Sequence, residues 1–141
     1  MNTEAIREQL KRHEGCVLHA YEDHLGYTTI GYGRLIDERR GGGISQAEAD
    51  ALLTNDIARV VADLERSVTC FHRLPEAAQQ ALVNMGFQLG TSGLLAFENM
   101  LAALKAGDWE RAAEEALNSR WAEQTPRRAH EVAKMIAGDQ E

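Results

Sequence analysis

From Ser45 to Gly138 the apolar residues fall into segments of helical spacing, which confines any sheet to the first 44 residues. Ser45 and Glu48 form an S-x-x-E capping box, and Ala49, Leu52, Leu53, Ile57, Val60, Val61 and Leu64 then recur as one face of a long amphipathic helix. Pro75 suits a first helical turn, Ala78, Ala81, Leu82, Met85 and Leu89 carry the next apolar face, and Gly90 is predicted to end it. Leu94, Phe97, Leu101 and Leu104 mark a further helix closed by Gly107. Asp108 is placed to cap the segment holding Trp109, Ala112, Ala113, Ala116 and Leu117. Thr125 and Pro126 open a last helix that points Ala129, Val132 and Ile136 inward and closes at Gly138.

Upstream the pattern differs. Ile6, Leu10 and Glu14 stand at i, i+4 and i+8, so a helix opened by Thr3 and stopped by Gly15 puts a carboxyl on an apolar face. Residues 17 to 36 break into short β-favouring pieces, VLHAY, YTTIGY and RLI, separated by EDHLG and by glycines, and predict a small antiparallel sheet left by a loop over Arg39 to Gly43. The predicted fold is α+β and mainly helical: a small antiparallel sheet lobe, a long connecting helix and a C-terminal helical lobe. At 141 residues this is one domain. Its approximate lobes are 12–60 (sheet lobe and connecting helix) and 1–11 with 61–141 (helical lobe), with the groove between lobes as the natural seat of an extended ligand.

Composition excludes several function classes. Fifteen basic against 22 acidic residues give a net charge of −7, unsuited to binding a phosphate backbone, so no nucleic-acid partner is expected. Residues 45 to 124 hold most of the imbalance, with six basic and twelve acidic groups. No apolar run is long enough to span a bilayer, and MNTEAIREQLKRHEG lacks the apolar core of a signal peptide; cytoplasmic synthesis without stable membrane insertion is expected. Cys16 and Cys70 are read as two reduced, partly buried thiols. The five histidines form no metal-ligand pattern, and phosphate-loop and serine-elbow motifs are absent, so no metal and no cofactor are expected. No unused apolar helix face stands out, and a monomer is the default.

Hydrolysis of a glycosidic bond needs one acid to protonate the leaving oxygen and a second carboxylate to activate water or attack the anomeric carbon. Glu14 and Asp23 have the right chemistry: apolar neighbours should disfavour the ionised form of Glu14, while Asp23, beside a polar glycine-bearing turn, should stay ionised. The same residues also fit structural roles, Glu14 capping or pairing on its helix and Asp23 making an Asx turn, and spacing alone does not separate the two readings. Tyr21, Tyr27 and Tyr32 fit strand packing better than sugar stacking.

Glu14, Asp23 and Thr29 in EG-x7-D-x5-T, followed by IGYG, resemble the catalytic segment of the phage-type lysozymes, glycoside hydrolase family 24. NMGFQLG at 84–90, GLLAFENM at 93–100 and SRW-x2-QTP-x-RA at 119–129 resemble that family's C-terminal lobe, in order, so the likeness covers nearly the whole chain. The resemblance implies a lysozyme-like two-lobed fold and a muramidase that cleaves the β-1,4 bond between N-acetylmuramic acid and N-acetylglucosamine with inversion. It implies Glu14 as general acid, and Asp23 with the Thr29 hydroxyl holding the attacking water. Thr28 points to the opposite strand face. Leu35 and Phe87 match positions lining the family's sugar-binding cleft, with Gln88 and Gln124 as polar contacts; Trp121 and Arg128 are read as architecture. The implied partner is the peptidoglycan glycan strand, reached after a membrane-permeabilising holin releases the enzyme to the wall.

Three departures from the family pattern stand out. Arg34 replaces a histidine common after the G-x-G, and an ion pair of Arg34 with Asp56 on the long helix is predicted. Met100 and Glu115 stand where relatives carry smaller or neutral polar cleft residues. The acidic balance disfavours encounter with acidic wall polymers at low salt. These departures keep open a non-catalytic module that binds peptidoglycan or a protein, and, further off, cleavage of a related polysaccharide such as chitin or chitosan.

Overall fold

A computed structural model describes residues 3–22, 24–32, 34–35 and 43–138. Its elements are helix α1 (Thr3–Glu14), strands β1 (Val17–Glu22), β2 (Thr28–Gly31) and β3 (Arg34–Leu35), then helices α2 (Gln46–Ser67), α3 (Glu76–Leu95), α4 (Glu98–Ala106), α5 (Trp109–Leu117), α6 (Arg120–Gln124) and α7 (Pro126–Ala137). A short 3-10 turn, Phe71–Arg73, precedes α3. The fold is therefore α+β and mainly helical with a small antiparallel sheet, as predicted. The chain divides into two compact units, Met1–Leu52 and Leu53–Glu141, and the division falls inside α2.

In the first unit the strands pair in the order β1-β2-β3, with Tyr21 opposite Thr29, Glu22 opposite Thr28, and Thr29 opposite Leu35. The register shifts between Val17 and Tyr21, which breaks the regular ladder of β1. Helix α1 ends where predicted: Gly15 adopts a φ of 67°, open to a residue without a Cβ, and its N–H donates to the Lys11 carbonyl at 3.0 Å. The Ser45 hydroxyl accepts from the Glu48 N–H at 3.1 Å and the Glu48 carboxylate accepts from the Ser45 N–H at 3.0 Å, completing the capping box at the start of α2. Gly33, Ile36 and residues 39–42 of the predicted exit loop lie outside the described residues.

The second unit holds the core. Leu64 of α2, Leu82 and Met85 of α3, Leu94, Met100 and Leu104 around α4, and Val132 and Ile136 of α7 are fully enclosed. Burying each such side chain stabilises the fold by about 1.5–3 kcal/mol before entropy is counted. Helix α5 packs on α4 and α7, and α7 packs on α3 and α6. The small residues Ala112, Ala116 and Ala129, none of them exposed, permit these close approaches. Asp108 caps α5 by accepting from the Arg111 N–H at 3.0 Å, and Gly107 and Gly138 close α4 and α7 in left-handed conformations.

The stop at Gly90 is present, but the start of the next helix differs from expectation. Gly90 does leave helical geometry, at φ 77° and ψ 164°, but the chain re-enters the helix at once and continues to Leu95. Leu94 therefore lies in the short helical piece between Gly90 and the end of α3 rather than beginning α4, and Phe97 occupies the N-cap position of α4. Cys70 is buried and Cys16 is exposed, so only one of the two free thiols has the expected setting. Among the described residues no helix is long and apolar enough to cross a membrane.

Candidate active site

In the first unit, Glu14 is the last residue of α1 and is exposed. Helical spacing does place it with Ile6 and Leu10: the three line one pocket of about 420 Å³, together with Thr3, Arg7, Lys11 and Tyr32. The Lys11 ammonium sits 5.8 Å from the Tyr32 ring centroid, within cation–π range, and 3.6 Å from a Glu8 carboxylate oxygen. Lys11 was missed as a neighbour of the acid, although its i−3 spacing from Glu14 carried the signal. Tyr32, 48% exposed, is therefore pocket wall rather than strand packing.

Thr29 is the buried polar residue of the sheet, 4% exposed at the centre of β2. Directly opposite strand residues share a sheet face, so Tyr21, Thr29 and Leu35 form one row across the three strands. The Thr29 hydroxyl donates to the Tyr27 carbonyl at 3.1 Å. A hydroxyl has a single hydrogen, so the oxygen that remains is an acceptor. Thr28, on the other face, is less enclosed. Leu35 is 40% exposed. Asp23 follows Glu22, the last residue of β1, and lies outside the described residues.

Arg34 has a different partner from the one predicted. Its guanidinium meets Glu48 at 2.5 Å, whereas Asp56 pairs with Arg59 of its own helix at 3.1 Å. The first turn of α2 is anchored by the capping box, which aims the Glu48 carboxylate at β3. The Asp56 carboxylate is satisfied three residues along its own helix. Glu48 is consequently held below the ordinary carboxylate range, first by the Ser45 backbone N–H, then by the Ser45 hydroxyl, then by Arg34.

In the second unit, α3 presents Phe87, 45% exposed, and Gln88, also exposed. The indole N–H of Trp121 donates to Gln88 Oε1 at 2.8 Å, and Trp121, 4% exposed, stands edge-on to Phe97 with ring centroids 5.9 Å apart. Arg128 donates from Nε to Asn84 Oδ1 at 2.8 Å and from Nη2 to the Asn84 carbonyl at 3.3 Å, tying α7 to α3 one turn before Gln88. Trp121 and Arg128 are thus architectural, as read from their motif. Gln124 joins Trp121, Phe97, Met100, Glu115 and Arg120 in lining a pocket of about 460 Å³, which Phe87 and Gln88 do not line. Met100 reaches that pocket while almost wholly buried, and the Glu115 carboxylate is engaged by Arg111 at 2.9 Å. Asn84 was not anticipated; a side-chain partner 44 residues away in sequence leaves no local signal.

The sequence matches the phage lysozyme family over residues 11–134. The chain belongs to the phage lysozyme family. This phage lysozyme family member is 30% identical to the probable T4-type lysozyme 1 of Dictyostelium discoideum across 94% of its own length and 93% of that protein. It is 32% identical to the endolysin of Acyrthosiphon pisum secondary endosymbiont phage 1, over 75% of this chain and 70% of that one. It is also 32% identical to the pre-baseplate central spike protein Gp5 of Enterobacteria phage T4, covering 94% of this chain but 27% of the spike protein. The α+β architecture described above is lysozyme-like, and membership of the family makes the protein a glycoside hydrolase of the lysozyme type.

Proposed function

We propose that the protein is an endolysin that hydrolyses the β-1,4 bond between N-acetylmuramic acid and N-acetylglucosamine in peptidoglycan glycan strands by an inverting mechanism. Glu14 is the general acid, giving its proton to the leaving oxygen as the glycosidic bond breaks. Asp23 and Thr29 hold a water that attacks the anomeric carbon from the opposite face of the sugar, and the Asp23 carboxylate takes the proton released. An inverting site keeps its two carboxyl groups roughly 6.5–9.5 Å apart to admit that water. Leu35, Phe87, Gln88 and Gln124 are proposed to contact the glycan. The enzyme works as a monomer and reaches the wall when a holin opens the membrane.

The observation that carries this reading is the Thr29 hydroxyl. Because its hydrogen is given to the Tyr27 carbonyl, Thr29 meets a water only as an acceptor. A water donating to Thr29 and Asp23 commits both hydrogens and turns its oxygen lone pairs toward an electrophile. That is the orientation a nucleophilic water requires.

A second reading rests on the spike protein, of which the chain spans 27%. A lysozyme-like domain of that kind could serve as a wall-engaging part of a larger assembly without turnover. Release of reducing ends from purified peptidoglycan separates the two, comparing wild type with folded Glu14→Gln and Asp23→Asn variants. Cleavage by wild type that is lost in both variants supports the muramidase. Wall binding without cleavage, equal in all three proteins, overturns it in favour of the non-catalytic module.

A further inference from the structure

We propose that Glu8 and Tyr32 are positioning residues that hold the Lys11 ammonium away from Glu14, so that Glu14 keeps the proton it is to donate. The inference deepens the muramidase reading and rests on it.

Helix α1 brings two cations, Arg7 and Lys11, into the pocket that holds Glu14; with Tyr32 these are the charged or titratable groups that line it beside the acid. Lys11 stands three residues before Glu14, a spacing that makes side chains neighbours on a helix. An ammonium paired with the acid would favour its ionised form and remove the proton that general-acid catalysis needs. Yet among the described residues the Glu14 carboxylate forms no ion pair and no hydrogen bond. Arg12 and His13, two residues and one residue before it, do not face it along the helix.

The order of charges along α1 explains why the acid stays unpaired. Helical side chains lean toward the N-terminus, so a cation most readily reaches an acid that precedes it. Glu4 takes Arg7 at 3.8 Å and Glu8 takes Lys11 at 3.6 Å, both at i, i+3. The reverse order, base before acid, is the weaker one, and it is the order of Lys11 and Glu14. Lys11 also has a holder outside the helix. Tyr32 follows β2, and its ring lies under the ammonium at 5.8 Å from the centroid, so an electron-rich face shares the charge that Glu8 attracts.

The test measures kcat/KM against pH on purified peptidoglycan at one low ionic strength. It compares wild type with Glu8→Gln, Tyr32→Leu, Tyr32→Phe, Lys11→Met and the double variant Glu8→Gln with Lys11→Met, each shown to be folded. The alkaline limb of the wild-type profile reports loss of the proton from the general acid. Glu8→Gln and Tyr32→Leu release Lys11 toward Glu14 and should each move that limb to lower pH by about half a unit, the scale of an exposed ion pair and roughly threefold in rate on the limb. Tyr32→Phe keeps the ring face and should keep the wild-type limb. Lys11→Met removes the cation, so the double variant should place the limb where Lys11→Met alone places it. A limb unmoved in Glu8→Gln and Tyr32→Leu, an equal loss of rate at every pH, or a shift that persists once Lys11 is replaced overturns the proposal and leaves the muramidase reading intact. Wild type that releases no reducing ends overturns both.

Discussion

The Arg34 guanidinium lies 2.5 Å from Glu48 Oε2, so the last strand of the sheet is tied to a carboxylate that also closes the capping box of α2. Glu48 titrates below the ordinary carboxylate range, the Ser45 backbone N–H being the largest cause. A depressed folded-state pKa stabilises the protein above the ordinary carboxylate pKa, and that stability is lost as pH falls through the lowered value. Chemical-shift titration of Glu48 should place its protonation at lower pH than that of an ordinary glutamate. Arg34→Ala should raise its pKa only partly, because the Ser45 N–H remains. A normal pKa for Glu48 in wild type would show that the capping box does not hold in solution.

Thr29→Val preserves the shape of a buried side chain and removes the oxygen proposed to orient water. The kcat/KM for peptidoglycan should fall roughly 10²-fold, within the range for groups that position proton transfer. Thr29→Ser should retain most of the activity. If the valine variant is folded and fully active, Thr29 has no part in catalysis.

Gly90 sits at φ 77° and ψ 164°, a backbone region that essentially only glycine occupies. No atom crowds the place of its missing Cβ, so backbone strain alone decides the outcome of substitution. Gly90→Ala should cost about 1–3 kcal/mol in urea denaturation. A neutral result would mean that the kink relaxes into continuous helix.

The net charge of −7 opposes approach to an acidic wall over distances longer than the screening length, which is about 10 Å at 0.1 M salt. Initial lysis rates on acidic wall should therefore rise as ionic strength increases from about 10 mM to about 100 mM. A basic lysozyme assayed on the same wall should do the opposite. A falling rate for this protein would locate the encounter on a locally basic face.

Local chemistry was legible wherever a few neighbouring residues settle the structure. The Ser45 and Glu48 box, the Asp108 cap, the stops at Gly15, Gly107 and Gly138, and the start at Pro126 all follow from hydrogen bonds or φ values set within four residues. Glu14 joining Ile6 and Leu10 followed from helical period alone. What sequence pattern could not carry was partner choice across long separations. Asp56 and Glu48 are equally plausible anions for Arg34 until the capping box fixes one of them nearby. Gly90 does interrupt the helix as its stop signal implies, and the short helical piece that follows it carries Leu94 into the core, where it is fully buried. The Trp121 bond to Gln88 and the Arg128 clasp on Asn84 span 33 and 44 residues, and no local spacing announces them.

The uneven distribution of the core has a consequence for how the molecule breathes. Every enclosed large apolar side chain described lies at Val60 or beyond, and α1 buries none. Backbone amides in α3, α4, α5 and α7 should exchange their hydrogens for deuterium only when the whole helical unit opens. Those of α1 and the three strands should exchange through small, frequent openings. Glu14 and Thr29, proposed as acid and water-holding hydroxyl, are thus carried by the part of the chain that yields first, while Phe87, Gln88 and Gln124, proposed as sugar contacts, stand on the part that yields last.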